Sequence, residues 1–480
     1  MPMKTIAPSI LIILSLVCVA RPLTAQAVSP PPDGGYPGGN TAEGSSALLS
    51  CTTGIYNSAI GIYSLLSVTT GSFNTGIGAG TLLANTADEN TATGAGALLS
   101  NTTGVENTAN GAFALFSNTE GSFNTAIGEG ALLSNTTGTQ NTVNGTAALG
   151  FNSTGNYNDA VGAFALFNNI SGSGNNAFGN SALLENMIGV DNTAVGDVAL
   201  LNNDSDGAGT ANFNTAVGSG ALAANVDGGE NTALGVNTLA NNNADFLTAV
   251  GVDALFANTT GSGNTAIGSG ALAFNTTGGG NTALGLDAGT NVTTANNVIC
   301  IGAAGNNVEN SCFIGNIFGA TSSNGLAVLI NSNGRLGTMT SSARFKDEIK
   351  PMGNASEALF ALKPVTFRYK KVIDPQGIPQ LGLVAEEVEA VNPDLVVRDK
   401  EGKPYSVRYD QVNAMLLNEF LKEHRKVEEQ QAAITQLKQD FQSRIAHQQK
   451  QIEALTAGLQ KVSAQLELNK PAPQTMVNNQ

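Results

Sequence analysis

Residues 124–140 read NTAIGEGALLSNTTGTQ, and the next seventeen residues, NTVNGTAALGFNSTGNY, repeat the same pattern with few changes. The opening string Asn-Thr-Ala-Ile-Gly returns, with substitutions, between about residues 50 and 302. Its asparagine stands at residues 74, 107, 124, 141, 158, 175, 192, 214, 231, 264 and 281. Most steps are 17 residues, and the step of 22 to Asn214 predicts a five-residue insertion around 204–212. Such a period is typical of repeat proteins in which each unit packs only on its neighbours.

Each unit offers two larger apolar residues. One precedes the glycine, as at Ile77 and Val161, and the other is a leucine four residues after it, from Leu65 to Leu272. Two such residues cannot form a core within one unit, so we predict that stacked coils bury both against neighbouring coils. In three units the residue before the glycine is polar instead of apolar, at Thr93, Asn110 and Asn144.

The units are too short and too rich in glycine for a helical solenoid. They predict a mainly β fold, a parallel β-roll or β-helix in which some fifteen coils spaced about 4.8 Å apart form a rod of roughly 70 Å. Glycines would supply the left-handed turns at the corners, and stacked asparagines would hydrogen-bond from coil to coil.

Charge divides the chain near residue 340. Residues 30–340 hold 19 acidic residues and one basic residue, Arg335, whereas residues 341–480 hold 18 acidic and 19 basic residues. The net charge of −15 argues against nucleic acid as a partner. The two histidines, His424 and His447, fall in one late segment, so no metal site and no cofactor are predicted. With 5% aromatic residues, stacking platforms for sugars or single-stranded nucleic acid are short of material.

The first 27 residues have the features of a secretory signal. Lys4 precedes an apolar run over residues 10–20, and Ala25-Gln26-Ala27 offers a cleavage site. We therefore expect an exported, secreted or surface-exposed protein, without an integral membrane segment once the signal is removed. Removal leaves three cysteines, of which Cys300 and Cys312 lie in similar strings. They are predicted either to form a disulfide between neighbouring coils or to be two buried small apolar residues.

After residue 340 the pattern is that of a small α+β domain followed by a helix. Residues 364–369 alternate like a strand, residues 385–389 favour a helix, and two short strands flank Gly402. From Phe420 the apolar positions follow heptads, which predicts a coiled coil. The heptad positions are Phe420, His424, Val427, Gln431, Ile434, Lys438, Phe441, Ile445, Gln448, Ile452, Leu455, Leu459, Val462 and Leu466.

Two resemblances extend this interpretation. The repeats resemble the head repeats of trimeric autotransporter adhesins, which are β-rolls with a similar Asn-x-x-x-Gly rhythm, and this implies three chains packed side by side. The segment around Ser341-Ser342-Ala343-Arg344-Phe345-Lys346, with residues 362–365, 382–388, 393–396 and Tyr409, is similar to the endosialidase-type intramolecular chaperone. That family implies a chaperone that assembles the preceding β-fibre as a trimer and then releases itself.

The chaperone resemblance also implies a Ser–Lys dyad. Carried onto this sequence, the nucleophile is Ser341, the base is Lys346, and the cleavage site lies adjacent to Ser341. A lysine base must be neutral, which requires burial or a nearby positive charge such as that of Arg344. Since a five-residue offset does not place two side chains on one face of a helix or strand, a turn or a contact between chains must bring them together.

The sequence thus predicts a homotrimeric, adhesin-like fibre with a self-releasing chaperone and an unknown surface or host ligand. The alternatives are a structural fibre with a permanent C-terminal clamp and, less favoured, a polysaccharide depolymerase. The acidic residues of the repeats are scattered over changing positions rather than paired as a glycosidase needs. The predicted segments are a signal (1–27), a linker (28–47), the β-roll (48–320), a connector (321–340), the chaperone (341–419), a coiled coil (420–468) and a disordered tail (469–480).

Overall fold

The computed structural model describes residues 36–469. The predicted signal and residues 470–480 of the predicted tail lie outside the described residues. The chain divides between Thr321 and Ser322 into two compact units, which we call the solenoid unit and the C-terminal unit.

The solenoid unit is a parallel β-solenoid of 17-residue turns. Each turn contributes one three-residue strand to a 17-stranded sheet, and equivalent residues stand opposite each other, as in Thr125↔Thr142, Ala126↔Val143 and Ile127↔Asn144. This confirms the predicted fold class. The strands are β1 (Thr41–Glu43), β2 (Ser58–Ile60), β3 (Thr75–Ile77), β4 (Thr91–Thr93), β5 (Thr108–Asn110), β6 (Thr125–Ile127), β7 (Thr142–Asn144), β8 (Asp159–Val161), β9 (Asn176–Phe178), β10 (Thr193–Val195), β11 (Thr215–Val217), β12 (Thr232–Leu234), β13 (Thr248–Val250), β14 (Thr265–Ile267), β15 (Thr282–Leu284), β16 (Ile299–Ile301) and β17 (Cys312–Ile314).

Each turn buries fewer large apolar residues in the solenoid core than the sequence predicted. The middle residue of each strand, most often alanine as in Ala126, points inward and is fully buried. Side chains alternate along a strand, so the first and third residues must point outward. The apolar residue before the glycine is therefore on the surface, and Ile127 is 40% exposed. The prediction that both large apolar residues of a unit are buried was wrong for this one, because the small middle residue takes the inward position.

The leucine of each turn fills the core as predicted, but in an unusual backbone conformation. Leu132 is fully buried with a φ of 54°, and its amide donates to the Ala148 carbonyl of the next turn at 3.0 Å. A left-handed conformation costs a non-glycine residue about 1–2 kcal/mol. Burial of a leucine side chain stabilises the fold by about as much or more, so leucine is favoured over glycine at this position despite the conformational cost.

Asparagine side chains form two hydrogen-bonded ladders inside the solenoid. In the first, which contains the repeated asparagine of the sequence pattern, Asn124 Oδ1 accepts from the backbone amide and Nδ2 of Asn141 at 3.1 and 3.0 Å. In the second, Asn135 Nδ2 donates to Asn118 Oδ1 at 2.7 Å. Both ladders also donate to main-chain carbonyls, and no buried side-chain N or O within residues 36–469 is left without a partner. The predicted coil-to-coil asparagine bonding is confirmed.

The insertion before Asn214 leaves the sheet undisturbed, since β10 and β11 remain in register. Its first residue, Asp204, is fully buried. Its Oδ2 accepts from the Ile188 and Gly189 amides at 2.8 and 2.9 Å, and its Oδ1 accepts from Gly209 at 2.6 Å. The carboxylate therefore anchors the added loop to the preceding turn.

The last two strands explain the state of the cysteines. In the register of β16 and β17, Cys300 stands opposite Phe313, and Cys312 stands opposite Ile299. Cys300 is at an inward position and buried, whereas Cys312 is at an outward position and exposed, so both thiols are free. Burial raises the pKa of the Cys300 thiol. Phe313 packs against the end of the core and covers it where the repeats stop.

The C-terminal unit consists of short elements and one long helix. Antiparallel pairs join β18 (Val328–Ile330) to β19 (Leu336–Thr338), β20 (Val365–Phe367) to β21 (Gln380–Gly382), and β22 (Val396–Arg398) to β23 (Pro404–Val407). The 3-10 helices are Ala343–Phe345, Gly353–Ala361 and Pro393–Leu395, and the α-helices are α1 (Ala385–Val391) and α2 (Tyr409–Leu468). The core of this unit has five buried apolar residues, which are Val388, Leu395, Val396, Val407 and Met415.

Candidate assembly and self-cleavage site

Ser341 and Lys346 flank a single turn of 3-10 helix, Ala343–Phe345, at the start of the matched sequence motif. The Phe345 amide donates to Ser342 O and the Lys346 amide to Ala343 O, each at 3.1 Å. The Arg344 guanidinium lies over the Phe345 ring, 4.6 Å from its centre. Ser341 and Lys346 are both exposed, and their side chains make no hydrogen bond to each other or to any other residue described. The dyad stays a prediction, and one chain alone does not assemble it.

Tyr409, a second residue of the motif, ties the long helix to the sheet. Its hydroxyl accepts a hydrogen bond from the Leu383 amide at 3.0 Å, just after β21. A Cβ atom on Gly382 would lie 2.9 Å from this hydroxyl and 3.2 Å from the Phe367 ring. Gly382 therefore leaves room for the tyrosine hydroxyl to approach the backbone.

A buried polar cluster fixes the 3-10 helix Gly353–Ala361 onto α2. Ser356 is fully buried and donates to Glu419 Oε1, and Glu419 is 7% exposed. Lys422 donates to the same carboxylate oxygen at 2.7 Å, and Asn418 Nδ2 donates to Ser356 Oγ at 2.6 Å. The hydrogen bond from Lys422 and, after it, the one from Ser356 hold the pKa of Glu419 below its ordinary value of 4.5. The cluster positions the chain segment that follows the candidate dyad.

We expect Glu419 to make the unit sensitive to acid. A carboxyl group whose pKa is lower when folded stabilises the fold above its unfolded pKa and loses that contribution as the pH falls through the folded pKa. The Glu419→Gln variant should therefore melt below the wild type at pH 7, and the difference should shrink from about pH 4.5 downward. Thermal unfolding followed by circular dichroism at several pH values measures this difference.

Glu423→Gln is the matched control, because Glu423 forms an exposed ion pair with Lys426 at 2.9 Å. Exposed pairs contribute about 0–1 kcal/mol, so this variant should differ little from the wild type at any pH. A Glu419→Gln difference that does not change between pH 7 and pH 3 contradicts the expectation.

Three apolar surfaces remain uncovered on the described chain. In the C-terminal unit, a cavity of about 620 Å³ opens beside Tyr409 and is lined by Leu359, Val365, Leu381, Val412 and Leu416 among others. On α2, the apolar members of the predicted heptads, here called the heptad seam, are 46–73% exposed from Phe420 to Leu466. On the solenoid, the outward residues of the strands form what we call the strand face. Its third positions are apolar in ten consecutive turns, from Val161 to Ile314.

The strand face is also almost free of charge. Residues 36–321 contain 18 acidic residues and neither lysine nor arginine. Only two of these acids, Glu43 and Asp159, occupy outward strand positions. The remaining acids lie on other sides of each turn, so the apolar side is the one where a second acidic chain meets the least repulsion.

Within residues 36–469, no helix combines the length and the apolar character needed to span a membrane. In the same residues, no three His, Cys, Asp or Glu side chains are grouped so that they could hold a metal ion.

Residues 341–397 match the family model described as the chaperone of endosialidase. The match begins at Ser341 and includes Lys346, Gly382 and α1, and it agrees with the resemblance drawn from the motifs. Neither the curated proteins nor the solved structures contain a match to the chain. The assignment of the C-terminal unit therefore rests on this family model, and the solenoid is described by its own geometry.

The buried polar cluster and the exposure of the strand face were not predicted from the sequence. Ser356 and Glu419 are 63 positions apart, and neither belongs to a spacing that indicates contact. The strand face was visible as a column of apolar residues but was placed in the core. A count of the inward positions available in so narrow a coil would have identified it, since the middle residue of each strand, most often alanine, already occupies the inward position.

Proposed function

We propose that this chain is the subunit of an exported trimeric β-fibre, adhesin-like in use, which its C-terminal chaperone unit assembles and then leaves by cutting the chain next to Ser341. The observation that carries the proposal is the exposed heptad seam of α2, in the same unit as the chaperone match.

The seam requires partners. Helix α2 has 60 residues, about 90 Å at 1.5 Å per residue, yet its only buried residues are Met415 and Glu419 near its start. A helix gains most of its stability in proteins from packing an apolar face, and every residue of this one after Lys422 is exposed in the part of the chain that the structure describes. Apolar residues at alternating steps of three and four are typical of coiled coils, so further copies of α2 would cover the seam.

The solenoid supports three parallel chains in the same way. Its strand face is nearly uncharged in a strongly acidic unit and carries a column of apolar residues at the third strand positions. Three copies that pack through this face bury the exposed valine, leucine and isoleucine side chains and keep the carboxylates apart. The chaperone unit would align the chains, because its coiled coil sets their register.

The cleavage chemistry follows from the predicted dyad. Neutral Lys346 takes the proton of Ser341 Oγ, and this oxygen attacks the carbonyl carbon of Thr340. The C–N bond to Ser341 breaks, Lys346 returns the proton to the departing amine, and water hydrolyses the resulting ester to free the two chain ends. Lys346 is exposed in a single chain, so burial by neighbouring chains, with Arg344 nearby, would supply the desolvation that keeps it neutral. Cleavage would then await assembly.

We expect the chain without its signal to split near residue 340 and release about 140 residues, the length from Ser341 to Gln480. Ser341→Ala and Lys346→Arg should stay whole, since the first lacks the nucleophile and arginine does not deprotonate. Intact mass spectrometry measures the products. Ser342→Ala is the matched control, and it should split as the wild type does.

Light scattering on Ser341→Ala tests the trimer independently of cleavage. An uncut wild type that is trimeric would replace self-release by a permanent clamp. A monomeric Ser341→Ala chain would overturn the trimeric fibre itself.

A further inference from the structure

One edge of the solenoid carries a line of exposed aromatic rings. The residue two positions before each strand forms a column that we call the ridge. It precedes the first-ladder asparagine, or Leu247 in the one turn where leucine takes the place of that asparagine. Six turns place an aromatic residue there, each 51–62% exposed: Tyr56, Phe73, Phe123, Tyr157, Phe213 and Phe246. The low aromatic content argued against a stacking surface, but the fold collects these residues on a single edge.

The ridge residues are held in a conformation that aromatic residues avoid. Their φ values lie between 58° and 63°. Other turns have Gly174, Gly263 or Gly280 at the same position, with φ of 68–70°. The fold is therefore satisfied by glycine, which adopts this region without strain. Strained residues that the fold does not need are a reason to look for a function.

The ridge is rigid, and its rings are free except that Tyr56 and Phe73 stack on each other with ring centres 5.4 Å apart. Each ring residue is pinned by its amide, as in Phe123 to Val105 O at 3.0 Å and Tyr157 to Thr139 O at 3.1 Å. A second left-handed column carries Phe113 and Phe164, but these rings pack edge-on against Phe116 and Phe167. Among the residues described, no aromatic ring packs in this way on Phe123, Tyr157, Phe213 or Phe246.

The spacing of the rings suits a linear polymer. From Phe123 to Tyr157 is two turns, from Tyr157 to Phe213 three, and from Phe213 to Phe246 two. At about 4.8 Å per turn the separations are about 10 and 14 Å. One turn is close to the length that one pyranose adds to an extended β-1,4-linked chain, so the rings would meet every second or third sugar.

We propose that the ridge binds an extended, uncharged β-1,4-linked polysaccharide along the solenoid axis. The rings would stack on the apolar faces of the sugars, and the ridge carboxylates Glu106, Asp191 and Glu230 would accept hydrogen bonds from hydroxyl groups. The absence of lysine and arginine from residues 36–321 disfavours polyanionic glycans. This inference rests on the proposed surface fibre and specifies its ligand.

Sedimentation with insoluble cellulose and with insoluble chitin tests the proposal on the full chain without its signal, in the Ser341→Ala background that keeps it whole. The background chain should bind at least one of the two polymers. The triple variant Phe123→Gly, Tyr157→Gly, Phe213→Gly should bind about tenfold or more weakly, because several weak contacts act together. Its melting temperature should not fall, since glycine fits the left-handed backbone. The matched control, Phe113→Gly with Phe164→Gly, should bind like the background chain.

Failure to bind both polymers, or equal binding by the triple variant, overturns the proposal. Loss of the oligomeric mass in the triple variant also overturns it, because the rings would then be an interface between chains. The fibre proposal is judged separately by light scattering on the same samples. A monomer that binds through the ridge would refute the fibre and leave the ridge in place.

Discussion

Replacing Gly128 by alanine is expected to destabilise the solenoid by about 3 kcal/mol or more, the range of severe single substitutions. Gly128 follows β6 directly and has a φ of 129°, which residues with a side chain rarely adopt. An added Cβ would lie 2.5 Å from the Gly145 carbonyl oxygen of the next turn, and that atom belongs to the backbone. Relief requires the two turns to separate, which also stretches the inter-turn hydrogen bonds around them.

Gly130→Ala is the matched control two residues away. Its φ is 65°, also left-handed, but an added Cβ would meet no atom within 4 Å. Only the conformational cost remains, about 1–2 kcal/mol. Urea unfolding compares the two variants, and hydrogen exchange should show the Gly128→Ala defect concentrated in the turns containing β6 and β7, because each turn contacts only its neighbours. Equal effects for the two alanines would show that the close approach of successive turns does not matter.

Replacing Ile445 by aspartate is expected to convert the proposed trimer to monomers at micromolar concentration. Ile445 belongs to the heptad seam and is 50% exposed in one chain. In a trimeric coiled coil three copies would meet, so the variant would bury three carboxylates at one level, and each buried charge costs several kcal/mol. Light scattering on Ser341→Ala chains with and without this change measures the mass.

Ala457→Asp is the control for introduced charge, because residue 457 lies on the side of α2 away from the seam. It should leave the mass unchanged. If the trimer persists in Ile445→Asp, the rest of the C-terminal unit and the strand face hold the three chains together without the coiled coil.

The repeat was predictable because its period and its residue types constrain each other. A leucine, an asparagine and a glycine at fixed places in seventeen residues favour stacked turns, and Leu132, Asn124 and β6 lie as that pattern predicts. Which apolar residue faces inward was not predictable from the period alone. Ile127 is the more apolar residue, but Ala126 is the one that fits between two closely spaced backbones.

The residues of the candidate site were also predictable only in part. Local strings identified Ser341, Lys346, Gly382 and Tyr409, and the structure explains the last two by a contact across 26 residues. The Ser356–Glu419 bond spans 63 residues without a local pattern, so only the folded chain reveals it. The ridge residues share a positive φ, but their residue types vary from phenylalanine to glycine, so the sequence alone does not reveal the column.

Both asparagine ladders are polar in one direction. At most rungs the side-chain amide donates toward the N-terminal neighbour, as from Asn141 to Asn124 and from Asn135 to Asn118. The amide dipoles therefore add along the axis and polarise one another. Each ladder therefore carries a dipole along the axis whose negative end is the C-terminal one. Substituting one asparagine interrupts this alignment for the turns on both sides. The substitution would therefore weaken neighbouring hydrogen bonds of the ladder as well as remove its own two.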